Sequence, residues 1–221
     1  LDLSNTSMEI KPEELLKLKN LQELNLDSIL IPHIKETLNL LSQFKLLQVL
    51  HLKGSLKDSL PPEIEKLTNL RILSLSGNPD LTYLPEEIFN LSNLQELYLD
   101  YCYQLPPRLS EVLGILGKLP KLKILDLQWM TIKKLPPEIG LVANLESLNL
   151  TMTGLTILPQ EIKNLKALRV LDLERNERIK LKEVIQVLTE LPNLEELYLN
   201  ECELTAIPPE IKNLKSLKTF N

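Results

Sequence analysis

Residues Leu70–Asn93 read LRILSLSGNPDLTYLPEEIFNLSN, and this stretch decides the fold. It opens with an L-x-x-L-x-L pattern that ends at Leu75, and Asn78 follows three residues later. Side chains alternate along a strand, so Leu73 and Leu75 lie on one face of a short strand. Pro85 then predicts a short helical segment, because proline is favoured in the first helical turn. One strand and one return segment therefore form the basic unit.

This unit repeats along the whole chain. Its first leucine recurs after steps of 26, 23, 24, 28, 23, 23, 26 and 23 residues, at Leu21, Leu47, Leu70, Leu94, Leu122, Leu145, Leu168, Leu194 and Leu217. Each unit, called a coil below and named by its first leucine, buries its leucines against the coils on both sides. A partial unit at Leu1 precedes them, and the last unit is cut off. The sequence predicts one domain, residues 1–221, of about nine coils with both ends cut inside repeats.

The coils have two lengths, and two short coils stand between successive long ones. Short coils share an L-P-x-E-I phrase, which predicts one or two tight helical turns, and the first coil keeps its proline at Pro12. The longer coils at Leu21, Leu94 and Leu168 replace the phrase with a helical period, as in residues 184–191. Long coils recur at every third position, which indicates duplication of a three-coil block.

The phrase L-x-x-L-x-L-x-x-N…L-P-x-E-I-x-x-L-x-N-L resembles the leucine-rich repeats (LRRs) of intracellular Ras-group proteins, many bacterial proteins and plant disease-resistance receptors. Residues 84–102, LPEEIFNLSNLQELYLDYC, are most similar to the plant group, whereas the E-I-K-N-L-K phrases look more like bacterial members. The resemblance implies an α/β fold. It would be a right-handed β/α horseshoe solenoid with a parallel inner sheet and short helices or 3-10 turns on the convex side.

Composition and motifs exclude several function classes. A net charge of −5 does not provide the basic surface that nonspecific nucleic-acid binding needs, so we expect no nucleic-acid partner. No stretch approaches the ~18 apolar residues of a membrane span. His33 and His51 have neither a metal-ligand partner nor a nucleophile at suitable spacing. We therefore predict no catalytic residue, no metal, no cofactor and no enzymatic activity.

Two cysteines occupy the place that Asn78 fills in its coil. Cys102 and Cys202 lie four coils apart, or roughly 19 Å at ~4.8 Å per strand, whereas a disulfide needs Cα atoms within ~7 Å. We predict that both thiols are unpaired and inward-facing. Free thiols slightly favour a cytoplasmic location. A secreted bacterial protein is the alternative, so the location stays open.

Charge on the inner face is strongly acidic. Positions 3, 5, 7 and 8 of the pattern escape the core and carry two bases, Lys53 and Arg175. The same positions carry ten acids: Asp2, Glu23, Asp27, Glu96, Asp100, Asp126, Asp172, Glu174, Glu196 and Glu201. Ten against two gives −8, whereas the whole chain has −5. This favours a partner with basic groups, although exposed strands also prefer charged to apolar side chains in general.

An aromatic group interrupts this polar surface. Tyr101, Trp129 and Met152 share position 8 in three consecutive coils, so they should lie ~5 Å apart. Such residues are enriched at the centres of protein interfaces. The predicted partner-binding site comprises Tyr98, Asp100, Tyr101, Tyr103, Asp126, Gln128, Trp129 and Met152. The alternative is that this edge packs under the following loop.

These observations predict a non-enzymatic recognition module that binds a protein partner on its acidic concave face. The alternative function is the LRR sensor or autoinhibitory arm of a larger plant-type immune or signalling receptor. Strands at Leu1 and Leu217 leave open edges, which predicts end-to-end self-association unless flanking coils cover them. Asp126 and Trp129 do not face the core, so we expect their replacement to leave stability almost unchanged.

Overall fold

The computed structural model describes residues 1–6 and 15–221, and these residues form one continuous parallel sheet. Within them nine strands follow chain order: β1 (Glu23–Asn25), β2 (Val49–His51), β3 (Ile72–Ser74), β4 (Glu96–Tyr98), β5 (Ile124–Asp126), β6 (Ser147–Asn149), β7 (Val170–Asp172), β8 (Glu196–Tyr198) and β9 (Thr219–Phe220). Each strand pairs with the next, so that Leu50 lies beside Leu73 and Leu73 beside Leu97. The predicted open β/α solenoid with a parallel inner sheet is confirmed.

Helices occupy the opposite, convex side. The three long coils contain α1 (Ile34–Leu41), α2 (Leu109–Leu116) and α3 (Leu181–Leu188), as their helical period predicted. The short coils contain 3-10 helices, which span Pro62–Lys66, Glu86–Asn90, Pro137–Leu141, Gln160–Asn164 and Pro209–Asn213. A further 3-10 turn, Pro106–Arg108, leads into α2. The proline phrase around Pro12 lies outside the described residues.

In the coil at Leu70 the helix begins one residue later than predicted, so Pro85 precedes it and is not part of its first turn. Pro85 has φ −64° and ψ 144°, an extended conformation, and the 3-10 helix begins at Glu86. The pyrrolidine ring fixes φ but leaves ψ free, so a proline can precede a helix as well as begin it. In the Pro-Pro phrases the second proline is the first helical residue, as at Pro62.

The core consists of the pattern leucines and of one further row of buried side chains, at the positions equivalent to Asn78 in successive coils. This row is called the ladder below. Leu70, Leu73 and Leu75 are completely buried. In the ladder, Asn176 donates to the carbonyls of Leu150 at 3.0 Å and Leu173 at 2.8 Å. Because the asparagine bridges two successive coils, it satisfies buried backbone groups that no strand partner reaches.

Both cysteines occupy ladder positions, are buried and are free, as predicted. The Cys102 thiol donates to the carbonyl of Leu75 at 3.3 Å, and the Cys202 thiol donates to that of Leu173 at 3.2 Å. Each thiol therefore makes one of the bonds between coils that an asparagine makes at the same place.

A left-handed backbone conformation precedes the ladder position in successive coils. It occurs at position 8 with φ between 53° and 61°, at Asn5, Ser28, Gly54, Gly77, Tyr101, Trp129, Met152, Arg175 and Glu201. Only glycine adopts it without steric cost, whereas other residues lose about 1–2 kcal/mol. The solenoid therefore imposes this backbone on the bulky Tyr101 and Trp129, where two earlier coils use glycine.

No helix in residues 1–6 and 15–221 has the length and apolar character needed to cross a membrane.

Candidate partner-binding site

The predicted aromatic residues meet just beyond the carboxyl ends of β4, β5 and β6, which are inner strands of the sheet. The Tyr101 and Trp129 rings stack with centroids 5.3 Å apart and planes 13° apart, and Tyr103 contacts Tyr101 edge-to-face at 6.2 Å. Tyr103 is 53% exposed, and Met152, one coil further on, is 43% exposed. These four residues are called the aromatic group below. Two of its members are open to solvent rather than covered by the following loop.

Arg175 joins this group, and the sequence interpretation missed that contact. Its guanidinium carbon lies 6.0 Å from the centroid of the Trp129 ring, and its Nη2 is 3.0 Å from Oε1 of Glu201. Arg175 shares position 8 with Trp129 and lies two coils away, or roughly 10 Å along the sheet. An arginine side chain spans such a distance, so the shared position was a usable signal.

A row of polar side chains crosses the middle of the inner face. Asp126, Asn149 and Asp172 stand side by side on β5, β6 and β7, and Tyr98 and Tyr198 flank them on β4 and β8. Asn149 donates to Asp126 at 3.3 Å. The row is therefore linked across coils.

Asp126 is more enclosed than its place on the inner face suggested. It is 8% exposed, and its carboxylate accepts bonds from the Gln128 backbone N–H at 2.9 Å and the Gln128 side-chain amide at 3.2 Å. The pKa of Asp126 is raised to about 6, first by burial and then by the nearby carboxylates of Asp100 and Asp172, which together outweigh the lowering effect of the bonds from the Gln128 backbone N–H and Asn149. Neutralising Asp126 should therefore change stability, contrary to the expectation from sequence.

The remaining predicted residues also belong to the polar surface. Asp100 is 8% exposed and accepts a bond from the Ser76 hydroxyl. Tyr98 donates its hydroxyl to Glu96 at 2.6 Å, and burial together with this bond raises the pKa of the phenol. The structure thus divides the predicted site into the aromatic group and a carboxylate surface that includes Tyr98, Asp100, Asp126 and Gln128.

The two histidines lie in different parts of their coils. His51 Nε2 is 3.6 Å from the Glu23 carboxylate on the neighbouring strand, and His33 immediately precedes α1. Among the described residues, no group of three or more His, Cys, Asp or Glu side chains is arranged to hold a metal ion.

Stacked coils that share one parallel inner sheet define the class of solenoid repeat proteins. Comparison with protein families agrees with this class. The family described as "Leucine-rich repeat region" matches residues 108–221, and "Leucine rich repeat" matches residues 45–103. This chain belongs to the leucine-rich-repeat proteins.

This chain matches only a small part of each of two much longer relatives. The protein flightless-1 homolog of Caenorhabditis elegans is 35% identical over 101 residues, which cover 45% of this chain and 8% of that protein. TMV resistance protein N of Nicotiana glutinosa is 32% identical over 157 residues, covering 60% of this chain and 14% of that protein. The chain therefore spans only a small fraction of either relative.

A solved structure matches along the whole chain. The Leptospira interrogans LRR protein LIC12759 is 30% identical with a TM-score of 0.60, and the match covers 100% of this chain and 65% of that one. The likeness extends over every coil that the structure describes.

Proposed function

We propose that this chain is a non-enzymatic recognition module whose acidic concave face binds a protein partner that carries basic groups. The observation that carries the proposal is the Tyr101–Trp129 stack, which stands beside the carboxylate surface with Tyr103 and Met152 exposed next to it. Aromatic residues and methionine are enriched at the centres of interfaces. The backbone N–H groups of Tyr101 and Trp129 are hydrogen-bonded to the next coil, at 3.3 Å and 2.9 Å, so little conformational entropy is lost when a partner docks on these side chains.

The acids contribute to this site in two ways. Glu201 is exposed and able to contact a partner directly. Asp100 and Asp126 are enclosed by hydrogen bonds, so they act mainly through the field that they add to the face. A field of one sign speeds the approach of an oppositely charged partner more than it raises the final affinity.

Selection from a displayed library of random peptides tests the proposal without a known partner. Peptides are selected on the wild-type chain alone, and the affinity of the survivors is then measured on Trp129→Ala. We expect the survivors to combine arginine or lysine with apolar residues, and to bind Trp129→Ala at least ~30-fold more weakly, as for a central aromatic anchor.

Phe89→Ala is the matched control. Phe89 is also an exposed aromatic residue with a cation over its ring, Lys118 Nζ at 5.1 Å, but it lies in the 3-10 helix Glu86–Asn90 on the convex side. Selected peptides should bind Phe89→Ala as they bind wild type. Survivors without a basic bias, or equal loss in both variants, would overturn the proposed site.

A second candidate function is an intramolecular arm, in which the face binds another domain of a larger receptor. The similarity to TMV resistance protein N, of which this chain spans 14%, favours it. Cross-linking of the full-length protein through the exposed Lys133, close to the aromatic group in sequence, distinguishes the two. Cross-links to residues outside the repeats support the arm, whereas their absence supports binding to a separate partner.

A further inference from the structure

Arg175 lies between the two kinds of group that a basic partner would contact. Its guanidinium lies over the Trp129 ring at 6.0 Å and binds the Glu201 carboxylate at 3.0 Å. Aromatic faces and carboxylates are the usual partners of arginine, because the guanidinium stacks on rings and its N–H groups fit the carboxylate. The chain thus fills a guanidinium site with one of its own side chains.

The site opens into a pocket that offers more room and charge than Arg175 uses. The pocket has a volume of about 560 Å³ and is lined by Met152, Arg175, Glu177, Glu201 and Glu203. Three acids against one base leave a charge of −2 in its wall. Met152, 43% exposed, adds an apolar surface next to these acids.

We propose that this pocket, together with the Trp129 ring that Arg175 contacts beside it, binds an arginine side chain of the protein partner, and that Arg175 competes with that arginine from within the chain. The inference rests on the proposed function, since it needs a basic partner on this face. Arginine fits better than lysine, because its planar guanidinium stacks on an indole and donates in a fixed fork, whereas an ammonium group is a compact point charge.

Arg175 is held weakly enough to be displaced. Its side chain is 43% exposed and that of Glu201 is 66% exposed, and exposed ion pairs gain little because water and salt screen them. An incoming arginine would take over both contacts, and Glu177 and Glu203 would remain available to it or to the displaced Arg175. Removing the Arg175 side chain should therefore free the pocket without disturbing the core.

Trp129 is the only tryptophan of the chain, so its indole signal reports on the position that the Arg175 guanidinium occupies next to the pocket. The probes are N-acetyl-arginine amide and N-acetyl-lysine amide, titrated at low salt into wild type and Arg175→Ala while the indole N–H resonance is followed. We expect the arginine probe to bind Arg175→Ala at least ~3-fold more tightly than wild type, as expected for loss of a weak internal competitor. The lysine probe should bind the same variant more weakly than the arginine probe.

Arg169→Ala is the matched control. Arg169 belongs to the same coil and pairs with Glu195 at 2.8 Å with a side chain 53% exposed, but it lies at the other end of the strand. The control removes the same charge and should not reproduce the gain, whereas adding Glu201→Gln to Arg175→Ala should abolish it. An equal gain in both arginine variants, or an indole resonance that never moves, overturns the inference.

The two proposals fail separately. Selected peptides that need Trp129 but bind Arg175→Ala no better than wild type leave the recognition function standing and overturn the arginine pocket. Binding of the arginine probe at the indole, with no peptide selected on the face, leaves the affinity of the pocket for a guanidinium standing and overturns the recognition function.

Discussion

Asn149 donates its side-chain amide to Asp126 at 3.3 Å, across the boundary between β5 and β6. The two residues occupy the same place in consecutive coils, and each accepts a bond from the backbone N–H two residues further on. An asparagine therefore performs the backbone role of Asp126 in the next coil. The negative charge of Asp126 is therefore not needed for the hydrogen bond that its side chain accepts from the backbone N–H of Gln128.

Asp126→Asn should stabilise the protein at neutral pH. The pKa of Asp126 is raised from 3.8 to about 6, mainly by burial, so its charged form is disfavoured in the folded state. At ~1.36 kcal/mol per pKa unit the gain should be up to about 3 kcal/mol. Urea unfolding of both proteins measures it.

The sign of the pH dependence follows from the same shift. Between about pH 4 and pH 6 the folded state binds a proton at Asp126 that the unfolded state has lost, so wild-type stability falls as the pH rises through this window. Asp126→Asn lacks this contribution, and the difference between the two proteins should grow up to pH 6 and then level off. Parallel stability curves would contradict the enclosed position of Asp126.

Trp129→Ala and Trp129→Gly should separate binding from folding. Both remove the indole, so both should weaken partner binding by ~2 kcal/mol or more. The backbone at Trp129 has φ 58°, which glycine adopts freely and alanine does not, so the glycine variant should be the more stable by about 1 kcal/mol. Urea unfolding and peptide affinity check the two effects. Global unfolding of the alanine variant would identify Trp129 as a packing residue instead.

Asn176→Ala should destabilise the fold strongly. Asn176 is fully buried, and its removal leaves the N–H groups of Thr153 and Leu155 without their acceptor. The carbonyls of Leu150 and Leu173 lose one donor each but keep the Thr153 hydroxyl and the Cys202 thiol. Each buried unsatisfied group costs ~1–3 kcal/mol, so we expect a loss of about 3 kcal/mol or more. The exposed Asn193, which donates one bond to Lys166 at 2.8 Å, is the control. An equally small loss in both variants would show that the ladder adds little stability.

Both thiols should react slowly with Ellman's reagent in the native protein. Burial raises the pKa of Cys102 to about 12 and also raises the pKa of Cys202, so little thiolate exists at neutral pH. Both thiols should become reactive over the same range of urea concentration in which the protein unfolds. Fast labelling of either one without denaturant would place it at the surface.

The repeating pattern was sufficient to predict the strands, the helices of the long coils and the inward-facing cysteines. Leucine burial imposes these features at fixed spacing within each coil. Where the pattern of one coil is ambiguous, the equivalent positions of the neighbouring coils therefore decide the prediction. The meeting of Tyr101 with Trp129 followed from the same register, because residues at equivalent positions stand side by side on successive parallel strands.

The contact of Arg175 with Trp129 and the enclosure of Asp126 depend on tertiary structure. Both features arise from contacts between coils. The side-chain conformation of Arg175 brings it to Trp129, and the hydrogen bond from Asn149 helps to shield Asp126 from water. The left-handed backbone at position 8 is also set by the stacked turns, because the residue types found there range from glycine to tryptophan. Sequence periodicity specifies which side chains leave the core, whereas packing between adjacent coils determines which of them stay in contact with water.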